Sequence, residues 1–158
     1  MTENKRERAK KVFDTACEAL ADREWKFSPD EEELKIKTGA IGDDLPMDIT
    51  IHADADRQLL LVISHLPVTV PEDKRVDLAI AVSVINNQLV DGSFDYDLRS
   101  GSIFFRLTSS FLDSSIGKEA VMYMLMCSCS TIDDYNDKLL MLAKGLLSIE
   151  QFVAAETN

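Results

Sequence analysis

The sequence is poor in the residues on which most enzyme and metal chemistry depends. It has two histidines, His52 and His65, and three cysteines, Cys17, Cys127 and Cys129. So odd and sparse a cysteine set makes no disulfide framework, and a cytoplasmic protein with reduced thiols is the simplest account. No apolar run approaches the ~20 residues that a membrane span needs. The start, "MTENKRERAKKVF", is charged and lacks an apolar signal core, so export is not expected. Motif frames are missing as well. There is no G-x-x-x-x-G-K-S/T phosphate loop, no G-x-G-x-x-G and no G-x-S-x-G elbow, since "DGSFD" lacks the second glycine. Repeats, long linkers and low-complexity tracts are also absent. One domain spanning 1–158 is the expectation, long enough to close a hydrophobic core.

What is present is acid. The net charge is −11, yet residues 1–11 carry +3, which leaves −14 on the other 147 residues. A body of that sign repels phosphate backbones, so nucleic acid is not the expected partner. The basic start reads as a solvated helix face with Glu interleaved.

The chain divides into elements by periodicity. Ala9, Val12, Phe13, Ala16 and Leu20 make one stripe of a first helix over 4–22, with Asn4 and Glu7 as a capping pair. "REWKFS" reads as a short strand broken at Ser28-Pro29-Asp30 and returned by "ELKIKTG", and "AIGDDLP" as a turn. "MDITIHAD" alternates Met47, Ile49 and Ile51 with Asp48, Thr50 and His52. "RQLLLVISHL" is more continuously apolar, which places it toward the middle of the sheet. A second helix opens near Pro71, with Thr69 and Glu72 as its capping pattern, and stops near Gly92. Leu78, Val82, Ile85 and Leu89 form its stripe, and Val76, Ala79, Ile80 and Val84 widen it well beyond what one sheet face requires. This helix must therefore meet a second neighbour, another helix of the chain or a second copy.

"DGSFDYDLRSGSIFFRL" then reads as an antiparallel hairpin around Gly101. Its aspartates, Asp91, Asp95 and Asp97, fit no EF-hand register: counted from Asp95, Arg99 and Ser100 take the fifth and sixth places, and counted from Asp91, Tyr96 takes the glycine place. Cys127 and Cys129 lie two apart on a predicted helix and point away from each other, which favours buried apolar thiols over metal ligands. No metal site, cofactor or catalytic set is expected. A hydrolase built on His52 or His65 ranks last among the readings.

A third helix starts near Ser115 and runs through "KEAVMYMLMCSCSTI". "DDYNDKLLMLAKG" reads as a fourth helix ended by Gly145, and Ser148 with Gln151 caps a short last one, "IEQFVAA". Met122, Met124 and Met126 crowd the third helix, and methionine suits either a core, a subunit contact or an adaptable client surface.

The stretch "VPEDKRVDLAIAVSVINNQLVDGSFDYDLRSGSIFFRLT" resembles the YbjN-like family of bacterial proteins. The matching positions are Val70-Pro71-Glu72, Asn86 (or Asn87), Gly92 with Phe94, Gly101, and Phe105-Arg106, followed by Asp134-Tyr135 before "NDKLL". The likeness covers roughly 68–147, and its motifs are structural punctuation. It implies an α+β fold like that of the class I type III secretion chaperones, with helices packed on one face of a bent antiparallel sheet in the order α-β-β-β-β-α-β-β-α-α. Those chaperones are small, acidic and usually dimeric, and they hold an extended client on apolar patches. The expected function is thus non-enzymatic binding of a polypeptide client by a cytoplasmic homodimer. Leu78, Val82, Ile85, Leu89, Met122, Met124 and Met126 are the candidate dimer or client contacts. The alternative is a regulatory module of the sensory transduction type that meets a basic partner through its acidic face. Pro71, Asn86, Gly92, Phe94, Gly101 and Arg106 are the structural motif, with Arg106 placed to pair with Asp95 or Asp97.

Overall fold

The computed structural model describes residues 4–42 and 45–158. The elements run α1 (Lys5–Asp22), β1 (Phe27–Asp30), β2 (Lys35–Ile41), β3 (Pro46–Asp54), β4 (Leu59–Thr69), α2 (Arg75–Gln88), β5 (Ser93–Tyr96), β6 (Ser102–Ser110), α3 (Lys118–Ala143) and α4 (Ile149–Thr157). The strands form a single antiparallel sheet in the order β1-β2-β3-β4-β6-β5. This is the expected α+β arrangement, with the helices on one sheet face.

Period-two alternation dictates which side chains meet those helices. Met47, Ile49 and Ile51 of β3, Leu60, Val62, Leu66 and Val68 of β4, and Ile103, Phe105 and Leu107 of β6 are all buried. They form one core with Ala9, Val12, Phe13, Ala16 and Leu20 of α1. At about 1.5–3 kcal/mol for each large side chain removed from water, this layer dominates the stability. The helix ends follow from local chemistry. Asn4 accepts from the Arg6 N–H at 3.0 Å while its own N–H donates to Glu7, and Ser148 with Gln151 repeats the arrangement at α4.

Several boundaries differ from the sequence reading. The expected third and fourth helices are one helix, α3, of 26 residues. No proline or glycine interrupts 118–143, and Asp133-Asp134 alone does not stop a helix whose apolar stripe continues on both sides. Ser115 is not its cap; Gly117 holds that position without a side-chain bond. Thr69 belongs to β4, so it caps nothing, and Pro71 precedes a 3-10 turn, Glu72–Lys74, with α2 starting at Arg75. Ser28-Pro29-Asp30 does not break the first strand but lies inside it. The turn expected over 40–46 falls partly outside the described residues.

Part of the second side of α2 is covered by the chain itself, while Val76 and Ile80 stay exposed. α4 packs along it, and Phe152 of α4 is buried. Strand β4 is central, as expected, but its apolar continuity is not used twice for one core. Leu59, Leu61 and Ile63 point to the face away from the helices, half-buried and separate from the core cluster.

Candidate functional site

The aspartates of the β5–β6 hairpin have three separate employments. The Asp95 carboxylate meets Arg106 across the strands at 3.1 Å, the nearer of the two expected pairings. Asp97 accepts from the Arg99 N–H at 2.9 Å and the Ser100 hydroxyl at 3.0 Å, and these bonds hold its carboxyl below the usual carboxylate range. Asp91 accepts the Tyr123 hydroxyl of α3. Among the described residues no three His, Cys, Asp or Glu side chains gather as a metal site.

The structural-motif residues build a corner where α2, β5 and β6 meet. Asn86 is the asparagine that reaches the backbone: its amide donates to the Phe94 carbonyl at 2.9 Å and accepts the Phe94 N–H at 2.8 Å. Phe94 is buried and lies edge-on to Phe105, with ring centres 5.1 Å apart. Gly92 adopts φ +76°, and a Cβ there would stand 2.4 Å from the Phe105 ring. Gly101, at φ +75°, lies so close to Val70 that a Cβ would meet its carbonyl at 2.4 Å, and its own carbonyl accepts the Val70 N–H at 2.9 Å. Arg75 ties the corner, donating to Val70 O at 3.2 Å and Arg99 O at 2.6 Å. Pro71 leads into the turn before it. These roles are architectural.

The histidines do not make a pair. His65 stands opposite Asp48 and His52 opposite Leu61 in the β3–β4 ladder. Four residues of strand therefore separate the two sites, about 13 Å. Burial, reinforced by Lys35, holds His52 below the ordinary imidazole range, while Asp54 acts against that.

The candidate helix contacts divide sharply. Leu78, Val82, Ile85, Met122 and Met124 are buried in the chain's own core. They offer no side chain to a partner, a correction that follows from α2 and α3 packing on the sheet and on each other. Leu89 is half-buried against the same core. Met126 alone is open, at 51% exposure. It lies one turn beyond Tyr123, which is 58% exposed and bonded to Asp91, and the preceding residue, Val90, is 98% exposed. The bond to Asp91 pushes the Tyr123 phenol up to about 12. Tyr123, Met126 and half-buried Cys127 thus share one side of α3, and the Tyr123–Asp91 bond ties that side to the α2–β5 connection, where Val90 precedes Asp91. Glu119, one turn before Tyr123, and Asp91 supply a carboxylate rim. Sequence reasoning found Met126 and missed Val90 and Tyr123. The available signal was helical phase: Tyr123 and Met126 share a side that Val121, Met124 and Leu125 do not.

The YbjN family, described as "Putative bacterial sensory transduction regulator", matches residues 14–141. Among curated proteins, none matches the chain by sequence. The crystal structure of YbjN from E. coli is similar with a TM-score of 0.60 at 16% identity, covering 80% of this chain and 93% of that one. A chaperone–effector complex, HopA1–SchA, has a TM-score of 0.40 at 19% identity, covering 92% of this chain and 97% of that one. The first of these similarities is one of fold, and the second is too distant to carry an argument.

Proposed function

Because this chain belongs to the YbjN family, we propose that it acts by binding another polypeptide and not by catalysing a reaction. It does so as a cytoplasmic homodimer in the manner of a chaperone. The observation that carries this reading is the exposed side of α3 at Tyr123 and Met126, tied through Asp91 to the connection that carries exposed Val90. Its apolar centre favours a partner segment with one or two large apolar side chains. Its rim, Asp91 and Glu119, favours lysine or arginine beside them, and the net charge of −11 draws such a segment in from a distance. The rim thereby joins the two sequence-based readings, client binding and recognition of a basic partner, in one surface.

Affinity capture from the native cytoplasm, with Met126→Glu as the paired bait, tests it. Met126 is exposed, so the variant should keep the wild-type melting temperature, whereas Met122, buried, is unsuitable as a probe. A partner held by this patch is lost from the variant, with affinity reduced at least about tenfold, as when a contact at the centre of an interface is removed. Equal recovery of the same partners by both baits rules the patch out.

A further inference from the structure

We propose that the face of the sheet opposite the helices is where two copies of this chain meet, with strand β4 at the centre of the contact. The inference rests on the homodimer reading above and assigns the contact to the sheet in place of the helices.

Four observations support it. First, Leu59, Leu61 and Ile63 of β4 and Phe104 of β6 lie on this face, half-buried among neighbouring strands but outside the core cluster. The ladder sets Leu61 opposite Thr108, Ile63 opposite Arg106 and Phe104 opposite His65, so the stripe is continuous and bordered by polar groups. A groove lined by Arg57, Leu59, Leu61, Ser93, Arg106 and Thr108 runs beside it and can seat a side chain from the other copy.

Second, the charges on this face are largely paired. Lys35 pairs with Glu33, Arg57 with Asp54 and Arg106 with Asp95, with Asp30, Lys37 and Asp48 beside them, whereas the chain as a whole carries −11. Two copies meeting through the open side of α2 bring acid against acid. The exposed pair Val76 and Ile80 on α2, for example, is flanked by Asp73 and Asp77. The sheet face lets identical molecules approach without that penalty.

Third, neither sheet edge is free to extend the sheet into a second copy. At β5 the Asn86 side chain already occupies the outward N–H and C=O of Phe94. At the other edge β1 is four residues long and contains Pro29, which has no N–H. Face-to-face packing is what remains, at the ~10 Å separation of aligned sheets.

Fourth, the size suits a weak dimer. Six strands at ~4.8 Å spacing, with alternate residues along the longer ones, make a face of roughly 24 by 20 Å before side-chain relief. That plan area, roughly 480 Å², is below the about 800 Å² per partner of a standard interface, so this face suits a weak dimer that forms only as concentration rises.

Analytical ultracentrifugation of the full chain between about 1 and 100 μM tests the assignment, with Leu61→Lys, Ile63→Glu and Ile80→Glu as variants. The wild type should shift from 17.7 kDa to twice that mass, with higher salt leaving the dimer intact. Leu61→Lys and Ile63→Glu place opposite charges on half-exposed positions, so each should fold with a wild-type circular dichroism spectrum and remain monomeric at 100 μM. Ile80→Glu should dimerise as the wild type does. A wild type that is monomeric at 100 μM overturns the proposal and the homodimer reading together, while leaving capture of a client through Met126 to stand or fall separately. A dimer that survives both sheet variants, or that Ile80→Glu abolishes, overturns the sheet assignment and keeps the homodimer.

Discussion

Asn86 behaves as a one-residue strand. A backbone neighbour would offer β5 one acceptor and one donor, and the Asn86 amide offers the same pair to Phe94 at 2.8 and 2.9 Å. Sequence alone left Asn86 and Asn87 equivalent, because two adjacent asparagines differ only in helical phase. Ile85 is buried and Asn87 exposed, so the phase selects Asn86. Asn86→Ala leaves both Phe94 groups unpaired and should cost about 1–3 kcal/mol in urea unfolding. Asn86→Asp keeps the acceptor but sets a carboxylate against the Phe94 carbonyl, and should rescue little. A loss below about 0.3 kcal/mol for Asn86→Ala would contradict this role. His52 gives a second residue-scale expectation. Its folded pKa is lowered, chiefly by burial, so the unfolded chain takes up its proton first as pH falls through about 6.5. Stability should therefore decline on acidification from that pH until the folded group also protonates. The urea midpoint of His52→Gln should fall less between pH 7.5 and 5.5 than that of the wild type; parallel falls in the two proteins would refute the assignment.

Among the elements, α2 was readable as a helix with too much apolar circumference for a single sheet face. What covers the excess was not readable. Periodicity reports that a surface is apolar and says nothing of which neighbour arrives, and here the neighbour for part of it is α4, which begins after residue 141, where the family match ends. The short α4 is therefore part of the fold's stability. Phe152→Ala, which empties a fully buried aromatic site, should cost about 3–5 kcal/mol. A chemical-denaturation loss under 1 kcal/mol would mean that α4 merely rests on α2. The break expected within α3 failed for a related reason. A pair of aspartates lowers local helix propensity by tenths of a kcal/mol, and the buried stripe from Val121 to Leu142 outweighs it.

At the scale of the molecule, alternation in β3 gave the sheet's buried face residue by residue, while the continuous run in β4 was ambiguous. A strand covered on both faces and a strand covered on one face with an apolar stripe on the other have the same composition. The candidate site was readable only in part for the same reason. Met122, Met124 and Met126 are alike in sequence, and tertiary packing decides that two fill the core while the third meets solvent. The acidic total is the whole-molecule property that acts on partners: it disfavours self-contact except where charges cancel, and it favours segments carrying lysine or arginine.

The most direct measurement on that account is the affinity of the captured partner for purified wild type and Met126→Glu, titrated at low and high salt. A patch with an apolar centre and an acidic rim predicts that Met126→Glu weakens binding at least about tenfold at both salt levels, while wild-type binding weakens only several-fold as salt rises. A partner whose binding ignores Met126→Glu and collapses with salt would contradict it, because the contact would then be the acidic surface alone.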